Sequence, residues 1–254
     1  ASADLPLAVG PAISTAFTSF RPEFMSLVAT LICNPAQPML DSTVLEAARA
    51  ILPSSSLAEW LDAGIAADIP FESDEPIQAI ADRLHGALQR IPVDVVVQPR
   101  LARRKKLLLA DMDSTMIGQE CIDELAAFAG LKDHVAAITE RAMRGEIEFE
   151  PALRERVALL KGLPVSVADE VFTKHITLTP GGPALVKTMR ANGAHTCLVS
   201  GGFTLFTERV AAAIGFEENR ANTLIVEDGK LAGRVQEPIL GRAAKVETLK
   251  AIAD

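Results

Sequence analysis

Residues 26–33 (SLVATLIC) form an almost unbroken apolar run and predict a strand. Residues 43–52 carry apolar side chains at three- and four-residue spacing and predict a helix, opened by a capping box between Thr43 and Glu46. Next, 57–64 and 65–71 read as strands, 76–91 as a helix with proline in its first turn, and 93–98 as a strand. The resulting order, βαββαβ, is a ferredoxin-like α+β layout. Trp60 reads as part of its core. Ahead of it, residues 1–24 are rich in Ala, Ser, Thr and Pro without a sustained period, and read as a poorly ordered extension.

The segment 99–106 (PRLARRKK) interrupts this pattern with proline and a basic run, and reads as a boundary between a domain at 25–99 and another at 100–254. Directly after it, 107–110 is short, uninterrupted and apolar, as expected of a central parallel strand buried on both faces. Helical spacing then dominates over 120–130, 133–144, 150–161 and 166–175, with Gly130, Gly145 and Gly162 as stops. These helices predict a bundle over about 118–179, inserted as a cap above the carboxyl end of the first strand. The α/β alternation returns with a helix at 182–192, a strand at 195–200 and a helix at 203–214. A hairpin, 223–227 and 230–235, follows around Asp228-Gly229, and a last helix begins near Arg242.

Composition narrows the function classes. A formal charge of -8 and the absence of a basic cluster beyond the short linker argue against a nucleic-acid binder. Cys33, Cys121 and Cys197 are an odd number, far apart, without CxxC or histidine at ligand spacing. That pattern fits a reduced cytoplasmic protein better than a secreted or zinc-binding one. No apolar stretch approaches the roughly 20 residues of a membrane helix, and a signal peptide is not apparent.

Chemistry concentrates where the strand 107–110 ends, because open α/β sheets place their sites at the carboxyl ends of strands. Asp111 and Asp113 stand there, one residue apart, and in an extended segment they would point the same way. The string DMDSTMIGQECIDELA resembles the first motif, DxDx[TV], of the haloacid dehalogenase-like phosphatases, and more closely the D-x-D-S-T…E-x-I-D-E-x-A pattern of the phosphoserine phosphatases among them. The resemblance continues in order through Arg156 in LRERVALLKGLP, the Ser200-Gly201-Gly202-Phe203 loop and Lys245. It implies a Rossmannoid parallel sheet with a helical cap, and likens the smaller domain to the ACT-like modules found ahead of some of these enzymes. Such a module could bind an amino acid, or mediate a homodimer.

The resemblance also implies roles. Asp111 would be the nucleophile that forms an aspartyl-phosphate, and Asp113 the general acid/base. Mg2+ would bind an Asp111 oxygen and the Asp113 backbone carbonyl. Ser200 and Gly201 would receive the phosphate, and Lys245 would offset its charge. Glu120 and Arg156 would take the ammonium and carboxylate of the substrate, with Met143 and Phe149 closing over it. The implied reaction is hydrolysis of O-phospho-L-serine to serine and phosphate, the last step of serine biosynthesis. The family's final acidic loop, GDGxND, is expected after the Lys245 helix and is not reached by Asp254, so a longer natural chain is expected. Two alternatives stay open: a phosphatase or phosphotransferase for another small phosphate, and a non-catalytic amino-acid sensor.

Overall fold

The computed structural model describes residues 25–253. The extension expected over residues 1–24 lies outside the described residues. The chain divides into two compact units between Arg103 and Arg104.

In the first unit, β1 (Met25–Cys33), α1 (Ser42–Arg49), β2 (Glu59–Asp62), β3 (Ala66–Ser73), α2 (Ile77–Leu88) and β4 (Val93–Pro99) follow in the predicted order. The strands form one antiparallel sheet, β2-β3-β1-β4. Strand alternation places Leu27, Ala29, Leu31 and Cys33 of β1 in a core with Ile80 and Leu84 of α2. Asp41 caps α1, accepting from Val44 N at 2.9 Å, so the expected Thr43–Glu46 box does not form. Glu46 instead accepts from Arg49 at 2.7 Å. Trp60, expected in the core, is 46% exposed, because every residue of the short edge strand β2 faces solvent.

The second unit is built on β5 (Leu107–Ala110), β6 (His195–Phe203) and β7 (Glu218–Asn222), a parallel sheet in the order β5-β6-β7. Here β6 is the central strand, buried from Thr196 to Ser200, while Leu107, Leu108 and Leu109 of β5 are half-buried. The expectation of a doubly buried central β5 is thus corrected among the described residues: β6 is the strand with a partner on each side. Helices α7 (Gly182–Ala191) and α8 (Thr204–Ile214) pack on it.

Between β5 and α7 lie an irregular tight turn (Met112–Met116) and four helices, α3 (Cys121–Phe128), α4 (Lys132–Met143), α5 (Phe149–Leu159) and α6 (Val167–Lys174). The chain enters and leaves this bundle at the antiparallel bridge between Ile117 and Leu178. β8 (Leu224–Glu227) and β9 (Lys230–Val235) form the hairpin, and Asp228 and Gly229 both take positive φ, the geometry of the two-residue turn their sequence demands. Gly162 N donates to Leu231 O at 2.8 Å, tying the hairpin to the bundle. Then α9 (Arg242–Ala253) runs from the expected start. Among the described residues, no helix is long and apolar enough to cross a membrane.

Candidate active site

Asp111 follows the last residue of β5 in extended conformation, and its Oδ1 accepts from Met112 N at 2.9 Å. Asp113 has extended dihedrals, φ -63° and ψ 135°, and Ser114 then turns the chain in the left-handed region at φ 51°, so two extended residues flanking Met112 both line the same cavity. Asp113 is fixed at both oxygens: Oδ1 accepts from Cys121 N at 3.0 Å, the start of α3, and Oδ2 accepts from Ser200 Oγ at 3.0 Å. Ser200 is itself buried and its Oγ accepts from Gly202 N at 2.8 Å. The SGG segment was expected to end a strand and open a helix; it lies within β6, and α8 begins at Thr204.

Close packing explains the glycines. A Cβ on Gly202 would stand 2.7 Å from Asp113 Oδ2, and one on Gly201 3.2 Å from Phe149 Cζ. Backbone and carboxylate therefore approach as only glycine permits. Lys245, on the first turn of α9, donates to Asp111 Oδ2.

On the bundle side, Glu120 precedes α3 and accepts from Ser114 Oγ at 2.7 Å. Burial of its carboxyl pushes its pKa up, although part of the residue stays exposed; Asp113, Asp123 and Asp111 add repulsion and the Ser114 bond offsets part. Arg156 on α5 is half-buried, donating from Nε to Ala152 O at 3.2 Å and from Nη1 to Thr139 Oγ1 at 3.3 Å. Burial lowers its pKa, and Asp123 and Glu120 counter that shift. The Met143 side chain lies outside the described residues.

Asp111, Asp113, Ser200, Gly201 and Lys245 line a cavity of about 670 Å³, and Glu120, Arg156 and Phe149 line it from the bundle side. Sequence reasoning missed Asp123, whose Oδ1 is buried without a hydrogen-bond partner among the described residues and which lines the same cavity. Helical spacing from Glu120 was the available signal. It also missed Asn222, at the end of β7, which holds Gly201 O at 2.8 Å.

The model of the haloacid dehalogenase-like hydrolases matches residues 108–254. The chain belongs to that family. Among its haloacid dehalogenase-like relatives, a phosphoserine phosphatase of Archaeoglobus fulgidus is 43% identical over 176 residues, 68% of this chain and 51% of that protein. One from a Polaromonas species is 50% identical over 131 residues, 51% of this chain and 56% of the relative. A solved HAD family hydrolase from Salmonella enterica serovar Typhi matches with a TM-score of 0.76 at 26% identity, covering 90% of this chain and 78% of that one. The chain spans about half the length of the curated relatives it matches.

Proposed function

We propose that this haloacid dehalogenase-like hydrolase cleaves O-phospho-L-serine to L-serine and phosphate. The observation that carries the reading is a single cavity lined by two chemically distinct sets of groups: Asp111 and Asp113 after β5 with Lys245 of α9, and Glu120 ahead of α3 with Arg156 of α5. A phosphate needs the first set, and an amino-acid zwitterion needs one acid and one planar cation. The names of the relatives support the same substrate.

In this mechanism an Asp111 carboxylate oxygen attacks phosphorus, the bond from phosphorus to the serine oxygen breaks, and Asp113 gives its proton to the departing alkoxide. Water then attacks the acyl phosphate, losing its proton to Asp113, and Asp111 is regenerated with release of phosphate. Ser200, holding Asp113 Oδ2, fixes the direction from which that proton moves. Lys245 lies against Asp111 and offsets charge on the transferring group. Phe149, packed over Gly201 and Gly241, limits water at the reacting end.

A divalent cation, Mg2+ in this reading, fits the donor set. Four carboxylates, Asp111, Asp113, Glu120 and Asp123, line the cavity against Lys245 and Arg156, and that surplus of negative charge contributes to the raised Glu120 pKa. Among the described residues there is no cage of three or more acidic, histidine or cysteine groups. Mg2+ requires only one or two carboxylates when substrate phosphate and water complete its shell. Asp111 and the Asp113 carbonyl would hold it, and when bound it would screen the nucleophile from the phosphate dianion.

The first unit, with its βαββαβ order, is ACT-like in this reading, and its exposed edge strand β2 is where a homodimer would form. A cytoplasmic place in serine biosynthesis completes the proposal. The test is phosphate release from O-phospho-L-serine with Mg2+, and from a panel of other phosphomonoesters. Asp111→Asn and EDTA should each abolish release; activity retained by Asp111→Asn overturns the assignment, and a preference for another phosphate overturns the substrate.

A further inference from the structure

The β6–β7 ladder slips at the site. Val199 pairs with Arg220 and Phe203 with Asn222, so Ser200, Gly201 and Gly202 stand opposite Ala221 alone. A bulge of this kind leaves backbone groups without ladder partners and re-aims the strand beside a site. Here it brings Ser200 Oγ and Gly202 against Asp113. The displaced Gly201 carbonyl is taken by a side chain: Asn222 Nδ2 donates to it at 2.8 Å. The same nitrogen donates to Leu240 O at 3.1 Å, and Asn222 Oδ1 accepts from Leu240 N at 2.6 Å. Leu240 lies two residues before α9, whose first turn presents Lys245 to Asp111. Asn222 is 3% exposed, so these bonds form out of water, where each is costly to leave unmade.

Resting on the hydrolase reading above, we propose that Asn222 is a positioning residue: one amide side chain clasps the bulged Ser200–Gly202 strand to the start of α9, fixing both phosphate-facing groups relative to the nucleophile. It touches no substrate. An amide suits the task because two carbonyls and one N–H must be satisfied by one side chain, which no carboxylate or hydroxyl can do.

Asn222→Ala and Asn222→Asp test it in the full chain. The aspartate is nearly isosteric and keeps the acceptor for Leu240 N, but loses both donated bonds. For both variants kcat should fall by about 10- to 100-fold, the scale of a small misplacement at a reacting centre. The loss should be equal on O-phospho-L-serine and on p-nitrophenyl phosphate, because Glu120 and Arg156 are not held by the clasp. Circular dichroism and the melting transition should show a folded protein, and orthophosphate binding by calorimetry should weaken at least tenfold. A folded variant with kcat within twofold of the parent overturns the proposal, as does a loss confined to phosphoserine or one that only tracks the unfolded fraction. A parent that releases no phosphate from either ester defeats the hydrolase reading instead, and the clasp is then decided by orthophosphate binding: unchanged affinity in the variants, or none in the parent, overturns it.

Discussion

Partial burial raises the Glu120 carboxyl above its ordinary value, the Ser114 bond offsets part of the rise, and Asp113, Asp123 and Asp111 add to it. A group whose folded pKa is raised binds more protons folded than unfolded, so its contribution to stability is fully present below the ordinary carboxylate value and is lost as pH rises through the raised value. Glu120→Gln should therefore raise the melting temperature at pH 7, with the gain disappearing in acid, and should weaken phosphoserine binding. An unchanged or lower melting temperature at pH 7 would show that the Ser114 bond to the anion outweighs burial. Arg156→Ala should raise the Michaelis constant for phosphoserine roughly 10- to 100-fold, the scale of a charge-assisted bond, and leave an aryl phosphate without a carboxylate nearly unaffected. Equal effects on both substrates would remove Arg156 from recognition. That Glu120 and Arg156 line the same cavity follows the fixed spacing of the motif in which they stand. Asn222 was not legible in the sequence: it ends the polar string ENRAN, and its contacts arise from a register slip that no local pattern encodes.

Elements were legible where the chain's own periodicity decided them, and illegible where pairing did. The hairpin turn at Asp228-Gly229 and the four bundle helices announce themselves locally. Strand β7 does not, because charged and amide residues have little intrinsic preference for a strand and the pairing with β6 imposes the conformation. The same pairing carries β6 through the SGG segment, and the glycines there have a testable reason. Gly202→Ala would set a methyl 2.7 Å from Asp113 Oδ2, an atom held by Ser200, so either the carboxylate or the strand must move. Activity should fall at least 100-fold while far-ultraviolet circular dichroism is preserved. Gly201→Ala meets the edge of the Phe149 ring at 3.2 Å, and that side chain is 40% exposed and can yield, so its loss should be much smaller. Equal losses for the two would mean that the glycines serve backbone freedom rather than the close approach.

At the scale of the molecule, the two apolar cores found among the described residues share no member: Leu27, Ile69, Phe71 and Leu84 belong to one, and Leu125, Leu198, Phe203 and Phe206 to the other. The junction between them was legible as proline and basic residues, whose composition favours neither core. Its local anchoring was not, since it depends on Arg103, which donates to Asp68 at 2.5 Å, while Thr30 donates to the same carboxylate at 2.7 Å. Asp68 is 6% exposed and Arg103 half-buried, and their ion pair holds the last residue of the first unit to its own sheet. Arg104, the next residue, is exposed. Brief trypsin treatment should therefore cut first near Arg104, and the released fragment that starts before β1 and ends there should still unfold cooperatively, because its core is made entirely from its own strands and helices. Asp68→Ala should weaken that fragment by about 1–3 kcal/mol, the cost of leaving the buried Thr30 hydroxyl without its acceptor, and admit trypsin at Arg103 as well. If the first cut instead falls inside either core, or the fragment melts without a transition, then the two cores do not stand alone and each draws its stability from the intact chain.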